Sequence, residues 1–147
     1  MERVSPDQVR AHVQKFWQVL SGQSKDALLE DLYSLEATVI TGKAKKSEHV
    51  QLAVARRKRA IAQQPREAST ELGPIDVEVV GNDVAIASYT YKFLRVRKDG
   101  TGGEVQRHTQ HGRATHVLQR DPGGCLRIVH EHLSSAVPVG VEPPLRN

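Results

Sequence analysis

Two histidines separated by one residue, His130 and His132, stand in the strand-like run Leu126–Ser134, which reads LRIVHEHLS. Imidazole changes charge near neutral pH, so such a pair can contact an anion, move a proton or share a metal ion. Side chains alternate along an extended segment. Alternation puts Leu126, Ile128, His130 and His132 on one face, and Arg127, Val129, Glu131 and Leu133 on the other. The preceding run, Glu104–Arg120, carries His108, Gln110, His116 and Leu118 at one parity. The expectation is a shared surface of His108, His116, Ile128, His130 and His132. Gly112 suggests a bulge, which would move His108 out of this register. Arg113 lies on the same strand and needs a partner if it is buried. Glu131 or a bound anion is the expected one.

Three uses of the histidines stand open: hydrogen-bonded framework, polar pocket wall, or metal ligands. No carboxylate or cysteine stands at a spacing that completes a metal site, so no metal and no other cofactor is expected. Cys125 is the only cysteine, which excludes an internal disulfide and fits a reducing, cytoplasmic setting.

These residues need elements to hold them. Ser5-Pro6 with Gln8 has the form of a capping box. Val9, Val13, Phe16, Trp17 and Leu20 then recur at helical spacing, and Gly22 ends the helix. Trp17 on this stripe is a candidate for core packing or for lining a pocket beside the histidines. A second, shorter helix is expected over Lys25–Ser34, a short strand at Ala37–Ile40 and a third helix capped by Ser47. In that third helix Arg57 falls on the apolar stripe, with its head expected in water. After Pro65 the pattern turns to strands: Ile75–Val80, Val84–Arg97, Glu104–Arg120 and Cys125–Ser135. Gly81-Asn82-Asp83 and Asp121-Pro122-Gly123-Gly124 form turns between them. Tyr89, Tyr91 and Phe93 share one face. The tail 138–147 contains three prolines and is expected to lie outside the domain, residues 1–137. Helices grouped before an antiparallel meander imply an α+β domain, with three N-terminal helices on a strongly curved, mainly antiparallel sheet. The open end of such a cone is a natural small-molecule cavity.

The net charge of +4 is unevenly spread. Residues 43–66 hold eight basic residues against Glu48 alone. No aromatic residue interleaves with them, so they read as a solvated helix face and nucleic-acid binding is not expected. No apolar run approaches the ~20 residues of a membrane helix, and MERVSPDQVR lacks a signal peptide's apolar stretch.

This order of elements resembles the nuclear transport factor 2-like, or cystatin-like, cone superfamily. LRIVHEHLS is similar to the closing strand of its SnoaL-like and calcium/calmodulin-dependent kinase II association-domain branches, with Leu126 where those strands usually carry Trp. Arg113-Ala-Thr-His-Val-Leu118 is similar to the strand before it. The resemblance covers about residues 5–137 and implies a homodimer through the sheet. It also implies either a small-molecule cavity, an isomerase, dehydratase or cyclase using histidine acid–base chemistry, or an oligomerisation module. Isomerases of this fold place a basic carboxylate just after the first strand. Here Ile40, Thr41 and Gly42 stand there, and none takes a proton at neutral pH. Glu36 lies before the strand.

Overall fold

A computed structural model describes residues 2–23, 28–41, 48–62, 66–98 and 100–135. Ser5 caps helix α1 (Pro6–Leu20) as its sequence requires: its hydroxyl accepts from the Gln8 amide and the Gln8 side chain accepts from the Ser5 amide. Val9, Val13, Phe16, Trp17 and Val19 form the buried stripe, while Leu20 is only partly covered. Gly22 closes the helix at φ +73°, a conformation glycine adopts without steric cost.

A four-residue 3-10 turn, Leu29–Leu32, follows and leads into strand β1 (Tyr33–Thr41). It corrects the expected second helix in part: residues 28–34 are a turn and a strand start, and Lys25–Asp26–Ala27 lies outside the described residues. The leucines are apolar at helical spacing, but β1 starts at Tyr33 and leaves four residues, a single turn too short to propagate as a helix. Ser47, the expected cap of the next helix, also lies outside the described residues. The helix itself, α2, runs Val50–Ala62 and is preceded by the two-residue strand β2 (Glu48–His49).

The remaining strands are β3 (Arg66–Leu72), β4 (Asp76–Val80), β5 (Val84–Lys98), β6 (Glu104–Arg120) and β7 (Leu126–Ser135). β3 is an addition to the expected set. Its sequence REASTEL is too polar to announce a strand, yet it pairs along Tyr91–Arg97 of β5. β4 pairs with the first part of β5, so β3 and β4 share one edge of that long strand. The sheet runs β2-β1-β7-β6-β5-β3, antiparallel except for the parallel β1–β7 pair. The fold is therefore α+β with a mixed, mainly antiparallel curved sheet, carrying two α-helices and one 3-10 turn among the described residues. α1 lies against β4 and β5, and α2 against β1. Neither helix is long and apolar enough to cross a membrane.

The bulge falls elsewhere than expected. β5 and β6 stay in register through Tyr91 and Gly112. In the β6–β7 ladder, Leu118 faces Ile128 but Val117 faces His130, so Val129 is the extra residue. Gly112 serves another purpose: a Cβ there would overlap the carbonyl oxygen of Ser134. Only a residue without a side chain lets the two backbones come this close.

Candidate functional site: a buried polar cluster and an open sheet face

One inserted residue inverts every side chain that follows it. Before Val129 the alternation holds and Ile128 is fully buried. After it, Glu131 and Leu133 point into the cone. His130 is half-buried and His132 exposed on the outer face. This corrects the expected placement of His130 and His132 on the inner surface. His130 instead shares a hydrogen bond with Thr38 of β1, Nδ1 to Oγ1 at 2.7 Å. His108 keeps the inward parity of His116, but it lies near the far end of β6 and is exposed. Trp17, His116 and Ile128 are the members of the expected set that the interior holds.

Arg113 and Glu131 are likewise apart. Arg113 is exposed opposite Ser134, whereas Glu131 is fully buried. The cation that reaches Glu131 is Arg57 of α2, Nη2 to Oε2 at 2.7 Å. Its head, expected in water, is almost wholly enclosed. The Glu131 carboxylate also accepts from the Tyr33 hydroxyl at 2.6 Å, and that hydroxyl accepts from Arg57 Nη1 at 2.6 Å. The Arg57 guanidinium stands over the Phe16 ring, 5.7 Å from its centre. Three elements are thus tied at one point: β1 through Tyr33, α2 through Arg57 and β7 through Glu131.

The cluster continues across the sheet. His116 Nε2 stands 3.6 Å from Glu131 Oε1 and 3.2 Å from the Tyr89 hydroxyl. The Trp17 indole donates to that same hydroxyl at 2.8 Å. His116 Nδ1 is buried with no hydrogen-bond partner among the described residues. Burial lowers the His116 pKa to about 4, although Glu131 pulls the other way, so the imidazole is neutral at pH 7. Burial, then the Glu131 charge, raises the Tyr33 hydroxyl well above its usual range. Burial works against the Arg57 charge, but Glu131 and Tyr33 outweigh it and the guanidinium is held protonated.

Around this cluster the interior is packed with rings. Phe16 meets Trp17, Tyr33 and His116 edge-on, and Trp17 stacks on Tyr91 at 4.7 Å. Tyr89, Tyr91 and Phe93 are all buried, as their shared face implied. Three clefts lie elsewhere. One of about 830 Å³ is lined by β3, β5 and β6 residues including Lys92, His111 and Arg113. Another, of about 460 Å³, lies between α1 and the β6–β7 turn beside His12 and Leu126. A third, of about 260 Å³, lies between α2 and β1. None of these three is lined by Trp17 or His116. Among the described residues no group of three His, Cys, Asp or Glu side chains is placed to share a metal ion.

The outer face of the sheet has the opposite character. Ile86, Val117, His130 and Thr38 form one cross-strand row over β5, β6, β7 and β1; Ser88, Thr115, His132 and Ile40 form the next. Ile40, Ile86 and Val117 are half-buried and do not pack on the core. Sequence reasoning missed the Arg57–Glu131 pair because one extra residue in β7 reverses the parity on which it relied. The signal within reach was Arg57 itself, a cation on the apolar stripe of its helix.

Comparison with known proteins agrees with this architecture. The model of the calcium/calmodulin dependent protein kinase II association domain matches residues 30–138. A nuclear transport factor 2-like superfamily protein from Salmonella enterica is 23% identical, with 92% of this chain and 93% of that one aligned and a TM-score of 0.70. A protein assigned as a dehydratase of the same fold family from Streptomyces avermitilis is 16% identical over 90% of this chain and 97% of that one, with a TM-score of 0.75. A protein assigned to the kinase II association domain from Xanthomonas campestris is 15% identical over 95% and 97%, with a TM-score of 0.63. A search of curated proteins finds no significant match. With the family model spanning well over half its length and the fold shared with nuclear transport factor 2-like structures, the chain belongs to the calcium/calmodulin dependent protein kinase II association domain family.

Proposed function

We propose that this domain is an association module that forms a homodimer through the outer face of its sheet. The observation that carries the reading is the outer row Ile86–Val117–His130–Thr38, whose apolar members do not pack on the core among the described residues. A solvent-facing sheet normally alternates to polar residues on its open side. Here Ile40, Ile86 and Val117 interrupt that pattern at the centre of the face. A stable pair needs roughly 800 Å² from each partner. The family's name supports the same reading. Light scattering across a concentration series tests it. A dimer that Val117→Asp converts to a folded monomer is the expected result. A wild-type monomer throughout would remove the proposal, and a larger closed assembly would replace it with the oligomerisation module.

A second reading, an enzyme or small-molecule binder working inside the cone, is favoured by one observation. His116, whose Nε2 stands beside Glu131 and Tyr89, has a buried Nδ1 with no hydrogen-bond partner among the described residues. A buried polar atom left unpaired is a place where a ligand's polar group gains most. A thermal-shift panel of small carbonyl and carboxylate compounds tests it. Stabilisation of the wild type that His116→Phe abolishes supports the reading; no stabilising compound, or one indifferent to that change, sinks it.

A further inference from the structure

The cleft of about 830 Å³ belongs neither to the buried cluster nor to the apolar outer rows. It lies further along β5 and β6, on the outer face, and its walls are built two residues apart on adjacent strands. Thr90 faces Arg113 and Lys92 faces His111 across the β5–β6 ladder. Residues two apart on one strand share a face, so these four side chains form a square. Diagonal neighbours on such a face stand ~7–8 Å apart at their backbones, within reach of a common ligand for Lys92 and Arg113. One glycine keeps the rim clear: a Cβ on Gly73 would overlap the Thr90 hydroxyl.

The charge in this cleft is unbalanced. Arg10, Lys58, Arg120 and Arg127 each have a carboxylate within 3.4 Å. Lys92, His111 and Arg113 are exposed, and among the described residues no carboxylate lies within ion-pair distance of them. Glu71 is the cross-strand neighbour of Lys92 and lines the same cleft, but no ion pair joins the two. Lys92 and Arg113 carry like charges on one wall and repel one another, and a multivalent anion relieves that repulsion. Arg offers a planar fork to an oxyanion, Lys a point charge, and Thr90 and Thr109 add hydroxyl donors.

We infer that this cleft is a binding site for a small molecule carrying a multivalent oxyanion, such as a phosphoryl or polycarboxylate group, gripped by Lys92 and Arg113. Its volume of about 830 Å³ leaves room for an organic body beyond the charged group. The site uses neither Val117 nor Ile86, the residues that carry the dimer reading.

Titration of the full chain with inorganic pyrophosphate and with citrate, followed by backbone amide shifts, tests the inference. The expected result is saturable movement confined to residues 71–73, 90–92 and 109–113. Arg113→Gln and Lys92→Gln should each weaken binding about tenfold, as for loss of one charge-assisted contact, with the shift spectrum of the rest unchanged. Both side chains are exposed, so neither change threatens folding. Preference for pyrophosphate over citrate, or the reverse, identifies the class of oxyanion. Repeating the titration on Val117→Asp separates this site from the dimer reading, because binding should persist there. No saturation up to tens of millimolar, or movement centred on residues 48–62 and indifferent to both variants, would overturn the inference.

Discussion

Arg57 on α2 and Glu131 on β7 meet at 2.7 Å inside the fold, the carboxylate fully buried and the guanidinium nearly so. Neither charge has water to turn to. Breaking such a pair from one side leaves an uncompensated buried ion, which typically costs about 3–5 kcal/mol. Arg57→Ala is expected to destabilise the domain by that amount in urea denaturation. The double change Arg57→Met with Glu131→Leu removes both charges and keeps the volume, so it should recover at least half of the loss. A double variant no better than Arg57→Ala would show that the pair is not acting as a pair.

The pH dependence has a definite sign. The unfolded His116 imidazole takes a proton below about pH 6.5, while the folded one resists until about 4. Between those values the unfolded state binds more protons, so stability rises with pH across that window. The contribution is complete above about pH 6.5 and gone once the pH falls below the folded value, amounting to about 3 kcal/mol. His12, whose pKa is also lowered by burial, adds to the slope in the same direction. Denaturation of His116→Gln over the same range should show a shallower slope; an unchanged slope would assign the effect elsewhere.

The Tyr89 hydroxyl joins Trp17 to His116. Tyr89→Phe would leave the buried indole N–H and the imidazole nitrogen without that partner, at a cost of about 1–3 kcal/mol. Tyr91→Phe is the comparison. Its hydroxyl bonds the Ser134 carbonyl at 3.1 Å in a half-buried site, and about 1 kcal/mol is expected there. Equal losses in calorimetry would deny the buried chain its special weight.

Gly112→Ala tests the close approach of β6 to β7. The new methyl would occupy the position of the Ser134 carbonyl oxygen, a backbone atom that no side-chain rotation can move. A loss of about 3 kcal/mol or more is expected, with lower amide protection along Arg113–Thr115. Gly100→Ala, which meets open space, should stay within about 0.5 kcal/mol.

Much of this architecture was legible in the chain itself, because local chemistry dictates it. Ser5, Pro6 and Gln8 announce a helix start whatever follows, and the 3.6-residue recurrence from Val9 to Trp17 marks its buried side. The strong period-two runs and their glycine turns mark β4 to β7, and LRIVHEHLS with Arg113–Leu118 points to the family. Only the tertiary structure decided which way the last strand's side chains face. The Val129 bulge is a mismatch between two strands, and neither strand's own sequence contains it. From that mismatch follow the outward His130 and His132, the inward Glu131 and its pairing with Arg57 rather than Arg113. β3 escaped for a related reason: REASTEL is a strand because the edge of β5 offers it hydrogen-bonding partners, and its side chains carry no sign of that neighbour.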